Sequence, residues 1–419
     1  MRCAVIGAGL LGMSTAWFLR DNGYKVRVFE KQSDVALGSS FANGGMLHAS
    51  EANPWNQPGI FLEALKMLGK EDSALLIRPK ALLSMLPWIV KFFMNSKRSI
   101  FEDNLSKNAG LAQYSLAVLR SQIKSLELES LINSTGTLKI YRNFESFEHG
   151  KSVAKKAAEF KNRYELLSSD DVIKLEPALV DIKNKIVGGV YYPDDLSGDA
   201  HEYCKIIKNN LEKRGCEFFY DNNVSSIVLN GHRLEGLRVG DKFYGSDVCI
   251  VAAGCFTPNL LPFNLPIEPV KGYSISIPLS DHSDSLPRIP VIDELKHAAF
   301  CPLKGKFRVA GTAEFAGFSE NLTKSRIDNL FKLTREIYPR LTIPEKSNES
   351  YPWCGFRPMT PDGVGIISAT EIDGLFINAG HGHLGWTMAP GSGKLLADIV
   401  SGKSPSLDAG LYSVNRFVN

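Results

Sequence analysis

The chain has 419 residues, 44% of them hydrophobic and 22% charged, with a formal net charge of +3. This is ordinary globular composition and enough chain for two domains, and lysine and arginine are scattered without the basic block that a nucleic-acid surface would carry. Seven cysteines, odd in number and lacking any Cys-x-x-Cys pair, argue against a disulfide framework or a zinc site and suit a reducing, cytoplasmic setting.

The first segment, "RCAVIGAGLLGMSTAWFLRDNGYKVRVFEK", reads as strand, glycine turn, helix and strand. Its uncharged run from Cys3 to Leu19 has a signal-like look, but it is short for a bilayer and broken by Gly7, Gly9 and Gly12. Those glycines form G-x-G-x-x-G. Gly7 permits the tight turn, Gly9 lets the backbone approach a pyrophosphate, and Gly12 lets helix and strand pack closely. The helix, expected from about Leu10 to Asn22, aims its N-terminal N–H groups, those of Leu10 and Leu11 among them, at that pyrophosphate. Glu30 closes the second strand where a ribose hydroxyl would donate to it. A carboxylate there disfavours a 2′-phosphate, so the dinucleotide is FAD or NAD.

Farther along, "RPKALLSMLPWIVKFFMNSKR" (78–98) mixes apolar and basic residues. It reads as a buried helix interrupted at Pro87, with a helix lying on a membrane surface as the other reading. "GTLKIYR" (136–142), "GYSISIP" and "FRVAGTAEF" (307–315) read as strands, and "YELLSSDDVIKLEPAL" as polar turns with a short helix.

Two distant segments suit the same dinucleotide site. "SDVCIVAAGCFTPNL" (246–260) is a buried strand running into Ala253 and Gly254. "GLFINAGHGHLGWTMAPGSGKLLADIVSG" (374–402) gives a strand, a glycine turn over Gly380–Gly385 and a helix from about Met388 to Val400. A helix N-terminus carries roughly half a positive charge, which suits the pyrimidine edge of a reduced flavin and which a nicotinamide does not require. His381 and His383 read as loop residues without metal geometry, and Trp386 and Met388 as packing.

The stretches "SSFANGGMLHASEANPWNQPG" (39–59), "KGYSISIP" (271–278), "AGTAEFAGF" (310–318), "GFRPMTPDG" (355–363) and "GHGHLGWTMAPGSG" (380–393) occur in the order found in the D-amino-acid oxidase superfamily. The chain resembles that superfamily over essentially its whole length. It is most similar to the bacterial D-amino-acid dehydrogenase branch and more distantly to glycine and sarcosine oxidases. The resemblance implies an α/β fold (α+β overall). A Rossmann-like FAD-binding domain of glutathione-reductase type (1–80, 155–260 and 355–419) would interleave with a substrate domain on a mostly antiparallel sheet (81–154 and 261–354).

Carried over, Glu30 and Lys31 fall at the adenosine ribose, and Ser39, Ser40, Asn43, Gly44, Gly45 and Met46 along the flavin approach. Val224 falls at the adenine, and Gly380, Gly382, Leu384, Gly385, Trp386 and Thr387 on the loop over the flavin ring. Arg357 matches the arginine that receives a substrate carboxylate, its alternative being a structural ion pair with Asp362. Tyr273 is the second substrate contact or merely a strand tyrosine.

The implied reaction is hydride transfer from the α-carbon of a small amino acid to flavin N5, with no acid or base residue nominated. The imino acid so formed would hydrolyse. Quinone, another redox protein or oxygen would accept the electrons, and the oligomeric state is open. Two departures bear on this. The dehydrogenase pattern continues its flavin loop with Gln-Ile-Ser-Pro where this chain has "MLHA" (46–49), so His48 either faces the substrate or fills space. Cys354 lies near where sarcosine oxidases attach flavin, but the spacing differs, and a noncovalent FAD is expected.

Overall fold

Short, mostly apolar strands of four or five residues, together with helices such as Leu10–Asp21 and Gly385–Val400, lead to a parallel sheet with both faces covered, because each strand must hide two apolar faces. The computed structural model has this arrangement, and it describes residues 1–61, 75–279, 286–343 and 351–418. In chain order, the elements that shape the site are β1 (Arg2–Ile6), α1 (Leu10–Asp21), β2 (Lys25–Phe29), α2 (Pro79–Met94), α3 (Arg98–Ser125), β3 (Val248–Val251), β4 (Glu268–Pro278), β5 (Lys306–Phe315), β6 (Trp353–Met359), β7 (Leu375–Ala379) and α4 (Gly385–Val400).

One sheet runs Glu217–Phe219, β2, β1, β3, β7 and Ile366–Ala369. The first five strands are parallel, with Cys3 opposite both Val26 and Val248, and Ile366–Ala369 pairs antiparallel with β7. Helices α1 and α4 pack side by side on this sheet, and α3 packs on α4 so closely that the Ser115 hydroxyl accepts from the Gly391 N–H at 2.9 Å. Their buried faces share one core through Met13, Leu19, Leu116, Leu395 and Ile250.

The second sheet runs β6, β4, β5, Ala298–Leu303, Val291–Asp293, Thr137–Tyr141, Gly188–Tyr192 and Glu165–Leu167, with Leu75–Ile77 added beside β5. All its pairings are antiparallel except Leu75–Ile77 with β5 and Val291–Asp293 with Thr137–Tyr141. A separate core of Ile275, Phe300, Val309, Leu330 and Tyr338 lies on its far face.

These memberships redraw the expected boundaries. Strands 165–167 and 188–192 lie in the second sheet although they fall within 155–260, because Gly188–Tyr192 pairs residue for residue with Thr137–Tyr141. Helix α3 joins the first core although it falls within 81–154, since its Leu105, Leu111, Leu116 and Leu119 face that way. Helix α2 also differs from expectation. It runs through Pro87 rather than breaking there, and its outer face is exposed at Leu83, Leu86, Val90 and Met94. Helix α4 begins at Gly385, a turn before the expected Met388.

Candidate active site

The carboxyl ends of the parallel strands and one face of the second sheet enclose a cavity of about 1630 Å³. Ligands in open α/β sheets sit at such strand ends. The glycine turn after β1 forms one end of it. Gly7 has φ +101°, and a Cβ there would stand 2.5 Å from the Ala252 carbonyl oxygen; a Cβ on Gly12 would stand 1.9 Å from that of Gly7. Neither side chain could exist without moving backbone, so β1, α1 and β3 meet only because both positions are glycine. Gly7, Gly9, Leu10 and Leu11 line the cavity, whereas Gly12 sits behind the turn as a packing contact.

Glu30 lines the cavity, and its carboxylate already accepts the N–H groups of Ala8 (2.7 Å) and Gln32 (2.9 Å). It thereby fixes the glycine turn against the end of β2. A carboxylate offers about four acceptor positions, so two remain for ribose hydroxyls. Lys31, Val224, Ala253 and Gly254 complete this end, with the Lys31 ammonium 3.5 Å from the centre of the Phe256 ring.

Ser39, Ser40, Asn43, Gly44, Gly45 and Met46 form the cavity's middle wall. Side chains reach across to hold this loop. Ser40 Oγ accepts from Leu10 N–H (3.1 Å), Ser39 Oγ donates to the Phe356 carbonyl (2.6 Å), and Ser274 Oγ donates to that of Ala42 (2.6 Å). Buried Arg308 donates to the Asn43 carbonyl (2.6 Å) and to Ser276 Oγ (2.9 Å). Sequence reasoning missed Arg308, because its partner lies 265 positions away.

The turn leading into α4 divides into lining and support. Gly382, Gly385 and Trp386 line the cavity, as do His381 and His383. Gly380, Leu384 and Thr387 stand behind them: Leu384 is core, and Thr387 Oγ1 accepts the His48 N–H at 3.2 Å. Trp386 donates its indole N–H to the Gly198 carbonyl at 3.0 Å, so its ring is fixed. The N-terminus of α4 thus opens on the cavity with no side-chain cap, which suits an electron-rich ring edge.

Arg357, on β6, enters the same space over β4. A Cβ on Gly272 would stand 2.4 Å from its Nη1, so the guanidinium lies flat on the glycine of the neighbouring strand. Nη1 donates to the Thr312 carbonyl at 3.2 Å, and the group sits 5.4 Å from the centre of the Trp55 ring. Thr312 has φ +61°, a left-handed backbone rarely adopted by a β-branched residue. Among the described residues no carboxylate pairs with Arg357. Asp362, the alternative partner, is held instead by Arg416 at 2.7 Å. The surface Arg357 retains faces the cavity rather than bulk water, and that burial draws its pKa down to about 10. A cation so placed is stabilised by an anion brought from outside.

Around it stand two histidines and an aromatic ring, of which only His48 was expected near the substrate. His383 stacks on Trp55 with centroids 5.2 Å apart. Burial holds its pKa to about 3, with His48 and Arg357 adding to the effect. His48 lines the cavity and is held to about 4 by burial and by Lys139. Both rings are therefore neutral at pH 7. Beyond His48, Lys139 bridges Glu51 (2.8 Å) and Glu294 (3.0 Å). Burial opposes its charge, yet the two carboxylates outweigh it and raise its pKa.

Tyr273 is in the wall, but its hydroxyl donates to Glu314 and contacts Thr323 Oγ1 at 2.9 Å, leaving it mostly occupied. Glu314 in turn receives Arg78 at 2.6 Å. Cys354 Sγ donates to the Glu320 carbonyl at 3.3 Å, and burial raises the thiol pKa.

Residues 2–399 match the DAO family, FAD dependent oxidoreductase. The chain belongs to this family. It is 35% identical over 424 residues to a D-amino acid dehydrogenase of Xanthobacter autotrophicus, covering 100% of this chain and 99% of the relative. It is 33% identical over 420 residues to a D-amino acid dehydrogenase of Neisseria gonorrhoeae, with the same coverage. The fold is similar to L-proline dehydrogenase from P. horikoshii (TM-score 0.77, 17% identity, 99% and 97% covered) and to glycine oxidase from Bacillus cereus (TM-score 0.74, 21%, 100% and 99%). As a DAO-family oxidoreductase the protein uses FAD. The turn packed too closely for a Cβ at Gly7 or Gly12, the starts of α1 and α4 on the cavity wall and the acceptor Glu30 fit that group. Among the described residues no helix is long and apolar enough to cross a membrane.

Proposed function

We propose that the protein oxidatively deaminates a small amino acid of D configuration, with Arg357 as the receiver of its carboxylate. The observation that carries this reading is a guanidinium facing the cavity with no carboxylate paired to it among the described residues. The full-length relatives named D-amino acid dehydrogenase support the substrate class.

Bound FAD supplies a two-electron acceptor. The chain supplies the rest. Arg357 offers a planar pair of N–H groups to the carboxylate, and the Thr312 carbonyl and Trp55 face fix that pair in one orientation. A substrate so held presents one face of its α-carbon, which is how positioning lowers a barrier without an acid or base. His48 and His383, both neutral, add shape and polarity without competing for the carboxylate. The α4 N-terminus and the loop 39–46, held by Ser274 and Arg308, form the wall against the flavin. We assign FAD as noncovalent, with the Cys354 thiol engaged by a backbone carbonyl. The first sheet with α1, α3 and α4 is assigned as the FAD-binding domain, and the second sheet as the substrate domain. Tyr273 serves as wall and Glu314 anchor, and His48 as a substrate neighbour. The electron acceptor is quinone, a redox protein or oxygen.

The test is anaerobic flavin absorbance during addition of matched D- and L-amino acids, glycine, sarcosine and proline. Bleaching by D-enantiomers alone is expected. Bleaching by proline or sarcosine alone would move the assignment to the imino acids, and none at all would leave a flavin-binding subunit without turnover. Oxygen uptake with peroxide formation would separate an oxidase from a dehydrogenase.

A further inference from the structure

The cavity wall carries a group of charges that hydride transfer does not use. Lys139, on the strand Thr137–Tyr141 of the second sheet, is 4% exposed and holds Glu51 at 2.8 Å and Glu294 at 3.0 Å. Three separate parts of the chain bring them together. Glu51 ends the short turn Ala49–Glu51 that follows His48. Glu294 follows Val291–Asp293, the strand beside Lys139, and its N–H donates to the Ile140 carbonyl at 3.2 Å. Both carboxylates line the cavity, and Glu294 keeps 36% of its side chain exposed. Exposed His149 and His297 stand near it at the rim.

One ammonium against two carboxylates leaves a negative charge over. The neighbouring charges are already matched, Asp293 by Arg142 at 2.6 Å and Lys296 by Glu336 at 3.1 Å. Asp195, behind the wall, accepts from Ser50 Oγ at 2.5 Å and brings no positive charge. The Tyr192 hydroxyl, on a ring 1% exposed, lies among Glu51, Lys139 and Asp195 and has no hydrogen-bond partner among the described residues. A charge left over in so enclosed a place is stabilised by a cation from outside. Among the described residues no group of histidine, cysteine and carboxylate side chains is set to hold a metal, and Lys139 occupies the middle of this one. An organic cation with N–H groups fits instead. The cluster joins the Arg357 end of the cavity through two rings: His383 hydrogen-bonds the Glu51 backbone and stacks on Trp55, whose ring centre lies 5.4 Å from the Arg357 guanidinium. An α-ammonium is one carbon from its own carboxylate, too near to span both rings, whereas a cation at the end of a long side chain reaches across.

We propose that Glu51 and Glu294 form a side-chain subsite for the ammonium or guanidinium of a basic amino acid whose carboxylate Arg357 receives. Lys139 fixes the two carboxylates side by side, and the Tyr192 hydroxyl supports them from behind. This subsite rests on the same reading of Arg357 as the receiver of an amino-acid carboxylate.

The experiment compares D-lysine with D-norleucine, which has the same carbon chain and no side-chain cation, on the FAD-loaded protein. Anaerobic flavin bleaching over a range of concentrations reads reduction, and the melting temperature with each amino acid reads binding. At low concentration the wild type is expected to be reduced at least about tenfold faster by D-lysine. Glu294→Gln, which leaves the Lys139–Glu51 pair intact, should lose most of that preference, and Glu294→Lys should reverse it. Flavin absorbance checks that each variant folds, and the wild-type comparison decides by itself if neither does. Equal reduction of the wild type by both amino acids, or the wild-type preference kept by a folded variant, overturns the proposal. Bleaching by neither would instead refute the oxidation of these amino acids. In that case a larger rise in melting temperature with D-lysine still supports the subsite, and equal rises overturn it.

Discussion

Arg357 is the residue on which the functional reading turns, and it allows a graded test. Arg357→Ala should raise the substrate KM by roughly thirtyfold or more, since losing a charge-assisted pair costs about 2–5 kcal/mol. Arg357→Lys keeps the charge and loses the fork, so it should recover only part of that loss. Equal KM in all three proteins would remove Arg357 from the site. The histidines give a second test, through stability. His48, His381 and His383 are held to about 4, 3 and 3 by burial, against 6.5 when exposed. Between about pH 6.5 and 4 the unfolded chain binds protons that the native rings refuse, so stability falls as pH drops through that window. Asp195, pushed up to about 7 by burial, works oppositely: the native carboxyl keeps a proton that the unfolded one has lost, so its contribution to stability falls as pH rises. Glu51, Glu176 and Glu268, raised by burial, oppose the histidines as Asp195 does, so the test is a difference: the denaturation midpoint of His48→Gln should lose less than that of the wild type between pH 6.5 and 4. A variant with the wild-type slope would contradict the burial of that ring. Arg357 was legible in the sequence because its motif is local. Thr312, Trp55 and His383 were not, since they meet it across 45, 302 and 26 positions and no periodicity records such meetings.

Elements tell a different story about legibility. The turn between β1 and α1, with Glu30 ending the next strand, was readable because every part of it lies within thirty residues. Gly12→Ala should therefore abolish flavin binding while leaving Gly9→Ala, whose Cβ would stand 3.3 Å from the movable Ser40 Oγ, only weakened. Flavin absorbance after gel filtration decides this, and a fully yellow Gly12→Ala protein would refute the packing argument. The loop 39–46 depends instead on remote anchors. Arg308→Met removes the donor to the Asn43 carbonyl and should lower flavin affinity without altering Arg357. Titration of apoprotein with FAD would show it, and unchanged affinity would mean the loop holds itself. Pro87 misled the reading of α2 because a proline's missing N–H is tolerated where the helix faces water. Likewise α4 begins early because the glycines before it are helical or turn residues as their surroundings direct.

At the scale of the whole molecule, two large apolar cores lie on either side of one cavity, which residues of both sheets line. Cofactor binding should then stabilise the entire chain by mass action, by about 2.7 kcal/mol when free FAD is a hundredfold above its Kd. A melting temperature independent of added FAD would exclude that coupling. Segment order and fold class could be read from the sequence, whereas sheet membership could not. Strands 165–167 and 188–192 look like any short apolar run until their register with 137–141 is known. The contact between Arg357 and Gly272 has a consequence for how such a protein changes over generations. Because the guanidinium rests where a neighbouring strand has no side chain, its height above the sheet is set by a missing atom. A single methyl at position 272 would push a flexible side-chain tip aside at little structural cost. The chain would still fold and still be yellow, yet its anion receiver would have moved. Substrate choice can therefore drift through a residue that has no side chain of its own.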